Sequence, residues 1–214
     1  LKIMYLYFFI PYFIFSFIFI YFCNKNNLFI DFKLEKHKRF SSHSKSYSIG
    51  GILFLILLIF NYFNFYQSSI LLAFFTSIFL LGILSDLKYL NSVKLRFLLQ
   101  FFLIITFVYL LEVSILSTRI EYFDNLLENR FFNIFFVTFC LMVLINGGNF
   151  IDGINGLLIK YNLIIFIIIL IFFGNHKEVN DLYLISIITV LTFLLILNYA
   201  GLIYMGDSGA YLLS

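Results

Sequence analysis

The chain has 214 residues, of which 63% are hydrophobic and only 12% charged, and its mean hydropathy is +1.03. A soluble domain carries about 25% charged residues, so this composition excludes a soluble globular protein and leaves the polytopic membrane class. The net charge of +3 is accounted for by basic loops and gives no ground for a nucleic-acid partner.

Taken in order, the sequence shows seven apolar segments, 3–22, 49–66, 69–84, 97–111, 131–145, 157–173 and 182–200, and an eighth beginning at Ala210. A membrane helix needs about 20 residues, so the shorter segments must extend into their polar flanks. All exceed a barrel strand of about 9–11 residues and lack its period-two alternation, which favours helices. The first segment is too long and too aromatic for a cleaved signal, and no small-residue cleavage site follows it. Cys23 and Cys140 form no C-x-x-C pair, so neither a structural disulfide nor a zinc site is expected. The expected fold is all-α, a polytopic integral membrane helical bundle of about seven complete spans plus the start of an eighth, forming a single transmembrane catalytic domain over 1–214.

Basic residues orient such a bundle. Lys25, Lys33, Lys36, Lys38, Arg39 and Lys45 follow the first segment. Alternation then places Lys88, Lys94, Arg96 and Lys160 on the same side, so that most of the 14 basic residues face the cytoplasm. The loop 112–130 sets Glu112, Glu121, Asp124 and Glu128 against Arg119 and Arg130, as an external loop allows.

Four polar stretches interrupt the apolar pattern, and this topology puts all four on the cytoplasmic side. The first runs from Arg39 through Ser42-His43 and Lys45 to Gly50-Gly51. Its basic and hydroxyl side chains suit phosphate, and Gly-Gly allows close backbone approach. A plain basic loop accounts for the lysines but not for Ser-His and Gly-Gly at this spacing. The second holds Gly82, Ser85-Asp86, Lys88 and, further on, Lys94-Leu95. An acid at a membrane helix end is a functional candidate, or else a surface acid beside Lys88. The third, 146–157, packs Asn146, Asn149, Asp152 and Asn155 with four glycines between two highly apolar runs. It reads as an interhelical turn or as a site where oxygen ligands meet something charged. The fourth is Met205-Gly206-Asp207-Ser208-Gly209-Ala210-Tyr211.

Together, and in this order, the four stretches resemble the signatures of the polyprenyl-phosphate N-acetylhexosamine-1-phosphate transferases, glycosyltransferase family 4. The family includes bacterial translocase I of peptidoglycan synthesis and the enzymes that start O-antigen and N-glycan lipid carriers. The resemblance implies transfer of a HexNAc-1-phosphate from a UDP-sugar to polyprenyl phosphate, of undecaprenyl length, with release of UMP. It implies catalytic roles for Asp86, Asp152 and Asp207, and a Mg²⁺ (or Mn²⁺) site on Asp207 and Asn149. It implies substrate contacts from His43, Lys45, Lys94, Asn155, Gly153 and Gly156, with Asn155 reading the uracil and the two glycines leaving room for the nucleoside. Its expected partners are UDP-HexNAc, polyprenyl phosphate and membrane lipid, with a homodimer allowed. Its expected location is the bacterial inner membrane with the site on the cytoplasmic face, in cell-wall or lipopolysaccharide O-antigen synthesis.

The sequence departs from the family pattern in three places. His43 stands where many relatives have Lys, a proline usual in the first loop is absent, and Ser85 replaces the first of two adjacent aspartates. Relatives also continue into further spans and a later loop, with His or Arg that contacts sugar and diphosphate. The 214 residues alone are therefore expected to insert without turning over UDP-sugar. The competing readings are a multi-pass transporter or lipid flippase, and an inactive fragment of the transferase.

Overall fold

A computed structural model describes residues 2–31, 46–65, 68–154, 156–174 and 181–214. The expected His43, Lys45 and Asn155 contacts lie outside these residues. The described elements are α1 (Lys2–Asn26), β1 (Ile30–Asp31), β2 (Ser46–Ser48), α2 (Gly50–Phe65), α3 (Ser69–Asp86) and α4 (Val93–Leu110), followed by α5 (Glu121–Leu127), α6 (Arg130–Asp152), α7 (Leu157–Phe173), α8 (Asp181–Tyr199), β3 (Ile203–Tyr204) and α9 (Gly206–Leu213). The molecule is an all-α membrane bundle. Among the described residues five helices, α1, α3, α4, α6 and α8, are long and apolar enough to cross a membrane, and α2 and α7 are shorter apolar helices. Each matches one of the seven apolar segments, and α9 matches the eighth.

Capping residues explain where hydropathy misplaced the ends. Ser92 caps α4 by accepting from the N–H of Leu95 at 3.4 Å. The helix therefore starts at Val93 rather than at 97, and Lys94 and Arg96 become helical. Asn129 caps α6 through the N–H groups of Phe131 and Phe132. At the other end of α6, Asn146 Nδ2 donates to Met142 O at 2.8 Å, satisfying its amide within the helix. The helix therefore runs on to Asp152, and the stretch expected as a turn or site loop is helical in its first half.

Two features were not expected. Glu121–Leu127 forms a short helix in the loop between α4 and α6. From within it, Asp124 reaches back to accept from the Thr118 N–H at 2.6 Å and from the Thr118 and Ser117 hydroxyls; these bonds, the backbone one first, hold its carboxyl below the usual range. The second is a patch of three very short strands, which leaves the all-α class unchanged. β1 pairs antiparallel with β2, and β2 pairs parallel with β3, in the registers Ile30↔Tyr47 and Tyr47↔Ile203. Segments of two or three residues carry no readable alternation, and their pairing joins positions far apart in sequence.

The shortest core helix, α9, is the most enclosed. Gly206 and Ser208–Leu213 are all buried, and α9 packs against α2, α3, α6 and α7. Small residues allow it. A methyl at Gly51 would lie 2.5 Å from Gly209 N, and one at Gly82 would run into the Ser208 backbone. Membrane helices approach closely through such residues, since lipid supplies little hydrophobic drive between them. The outer faces are apolar: Ile164, Ile168 and Ile171 on α7 stay exposed, at the spacing of one helix face, as acyl chains require.

Candidate active site

Chemistry-bearing side chains gather at one end of the bundle, where α3 and α6 finish and α2, α4, α7 and α9 begin. The first N–H groups of a helix lack intrahelical acceptors and carry its positive partial charge. At α9 the preceding residue, Met205, supplies no side-chain cap. Asp86, the last residue of α3, does so instead. Its Oδ1 accepts from the Asp207 N–H at 2.8 Å and its Oδ2 from the Ser208 N–H at 3.1 Å. Gly206 makes this contact feasible. It has φ +70, and a Cβ there would stand 2.8 Å from Asp86 Oδ2.

Asp207 is oriented by two further helices. Ser85 Oγ of α3 donates to its Oδ2. Arg96 Nη1 of α4 lies 2.7 Å from the same oxygen and 2.5 Å from Ser85 Oγ. The Arg96 and Asp207 side chains are 24% and 26% exposed, so the ion pair sits at the rim rather than in the core. A fourth helix arrives through Tyr211, one turn beyond Asp207. Asn149 Nδ2 of α6 is 3.5 Å from its hydroxyl, and Gln100 and Arg96 also interact with it. Asn146 Nδ2 donates to Gln100 Oε1 at 3.2 Å. Gln100 is 1% exposed, and its Nε2 has no partner among the described residues.

Of the positions named from sequence, Asp86 and Asp207 are thus brought into contact, and Asn149 meets α9 one turn beyond them, at Tyr211. Lys94 sits exposed in the first turn of α4, while Arg96, two residues on, is the basic group that reaches Asp207. Asp152 closes α6 and is half-buried. Around Gly153 a side chain would meet only Phe150 O at 3.4 Å, so space is open there. At Gly156, which has φ +70 and caps α7, the corresponding space is taken by Leu195 and Tyr199 of α8. Sequence reasoning missed Arg96, Gln100 and Tyr211. A signal existed for the first two: Arg96 and Gln100 are four apart in an apolar helix, which places two costly polar groups on one face.

The donor set suits a hard divalent cation. Mg²⁺ is usually held by one or two carboxylates together with substrate phosphates and water, not by a protein cage. Asp207 Oδ1 makes no hydrogen bond among the described residues, its side chain is partly exposed, and Asn149 reaches the same helix one turn further on, at Tyr211. No cluster of three His, Cys, Asp or Glu side chains occurs among the described residues, so phosphate and water would complete the shell.

Comparison with known proteins bears on the same end of the bundle. Residues 68–214, which include Asp86, Asn149 and Asp207, match the profile of glycosyl transferase family 4. The phospho-N-acetylmuramoyl-pentapeptide-transferase of Dictyoglomus thermophilum is 28% identical over 215 residues, covering 96% of this chain and 69% of the relative. No solved structure matches the chain.

Proposed function

Because the chain belongs to glycosyl transferase family 4, we propose that it moves a HexNAc-1-phosphate from a UDP-sugar to polyprenyl phosphate, releasing UMP. The observation that carries this reading is the convergence of Asp86, Ser85, Arg96, Asp207 and Asn149 at one end of a membrane bundle. A lipid-borne phosphate and a soluble nucleotide can meet there. We assign that end to the cytoplasmic face, on the distribution of basic residues.

An oxygen of the polyprenyl phosphate attacks the phosphorus that bears the sugar. The bond from that phosphorus to the bridging oxygen breaks, and UMP departs with the electron pair. The acceptor is a phosphate monoester with a second pKa near 6, so it is mostly dianionic at neutral pH. It needs no strong base, and the task of the protein is positioning and charge neutralisation. Mg²⁺, when bound, would neutralise charge on the diphosphate. Asp207 and Asn149 would hold it. Asp86 keeps Asp207 in place by fixing the start of α9. Lys94, exposed at the mouth, offers a point charge to phosphate.

Among donors, the similarity to a phospho-N-acetylmuramoyl-pentapeptide-transferase favours UDP-N-acetylmuramoyl-pentapeptide and a place in peptidoglycan synthesis over O-antigen synthesis. The test is UMP release by purified protein with undecaprenyl phosphate and a panel of that donor, UDP-GlcNAc and UDP-GalNAc. Release should depend on the lipid phosphate and be highest with the muramoyl donor. Equal rates with and without lipid acceptor would overturn the transferase reading.

A further inference from the structure

Asp207 is already held by a cation before any metal arrives. Arg96 Nη1 touches both Asp207 Oδ2 and Ser85 Oγ, and the Ser85 hydroxyl donates to that same carboxylate oxygen. The three groups form a closed ring, each bonded to the other two. We propose that Arg96 is a positioning residue that occupies Asp207 as a stand-in cation, and that an entering divalent cation displaces it, freeing its guanidinium for the phosphates of the substrate. The inference rests on the reading of Asp207 as a metal ligand.

Three observations carry it. Both partners are about a quarter exposed, so a hydrated ion can reach the shared oxygen. Arg96 Nε is buried without a hydrogen-bond partner, leaving the fork under-satisfied in the ligand-free arrangement and matched in shape to phosphate oxygens. Finally, Ser85 supplies a hydroxyl rather than a second acid beside Asp207. Once Asp207 turns to a cation, no carboxylate at that position retains Arg96, so release is complete.

The experiment is Mn²⁺ binding to purified, nucleotide-free protein, read from the free-ion paramagnetic signal. Removing the competitor should tighten binding: Arg96→Gln is expected to gain about five- to thirtyfold, the factor that about one to two kcal/mol corresponds to. Arg96→Lys, which retains the charge but not the fork, should fall between. Lys88→Gln removes a charge from the same end without touching Asp207 and should stay within about twofold. Asp207→Asn should lose Mn²⁺ in either background. A purely structural Arg96 would lower the melting temperature without tightening Mn²⁺ binding. Unchanged or weaker binding in folded Arg96→Gln overturns the inference and leaves the metal site standing. If Arg96→Gln does not fold, unchanged binding in Arg96→Lys overturns it equally. Absence of Mn²⁺ binding from wild type and every variant overturns both the inference and the metal reading.

Discussion

Asp86 and Asp207 are both acids at helix ends, yet their surroundings give them different tasks. Asp86 spends both oxygens on backbone N–H groups, whereas Asp207 keeps Oδ1 open. Asp207→Ala is therefore expected to abolish UMP release at any practical Mg²⁺ concentration, and Asn149→Ala to shift the Mg²⁺ response to higher concentration. Titrating Mg²⁺ in the release assay checks both, and an unaltered Mg²⁺ dependence in the two variants would remove them from the metal site. Asp86→Asn replaces one acceptor oxygen by a donor facing a donor. Hydrogen bonds to a charged group are worth about 1.5–3 kcal/mol each, so a lower melting temperature should accompany a loss of rate on the order of tenfold or more. A melting temperature unchanged from wild type would show that the α9 cap is not supplied by Asp86.

At the scale of elements, the close seat of α9 sets the precision of the site. A methyl at Gly82 meets the Ser208 backbone, while one at Gly147 meets nothing within 4 Å. Gly82→Ala should displace α9, and a shift of about 1 Å can cost on the order of 100-fold in rate. Gly147→Ala should leave both rate and melting temperature nearly unchanged. Equal activity of the two variants would show that α9 has slack. Between α4 and α6, the Asp124 carboxyl lies below its usual value because Thr118 and Ser117 donate to it. A depressed folded-state value means that stabilisation is present above the unfolded carboxylate range and is lost as pH falls through the folded value. Amide exchange at Thr118, corrected for its intrinsic pH dependence, should speed up on acidification below the usual carboxylate range. A flat corrected profile would contradict this. Neither element feature was legible beforehand: α5 is only seven residues long, and the seat of α9 depends on glycines in three separate helices.

For the molecule as a whole, the prediction is that the polar end of the bundle faces a single compartment. Cysteines placed at Lys38, Asp86, Asn155 and Asp207 should all react with impermeant reagents from the cytoplasmic side. Labelling of Asp86 and Asp207 positions from opposite sides would dissolve the common site.

What the sequence by itself determined is the membrane class, the seven apolar helices with the start of an eighth, and the candidacy of Asp86, Asn149 and Asp207. Hydropathy is a sum over local residues, and the spacing around Asp86, Asn149 and Asp207 is local too. The tertiary structure alone decided that Asp86 caps α9 and that Arg96 rather than Lys94 meets Asp207. It also decided that the loop before α2 pairs as a strand with the loop before α9. These depend on contacts between positions more than a hundred residues apart, such as Asp86 with Asp207 and Tyr47 with Ile203. No local pattern encodes such a contact, because its energy exists only once the two segments are packed side by side.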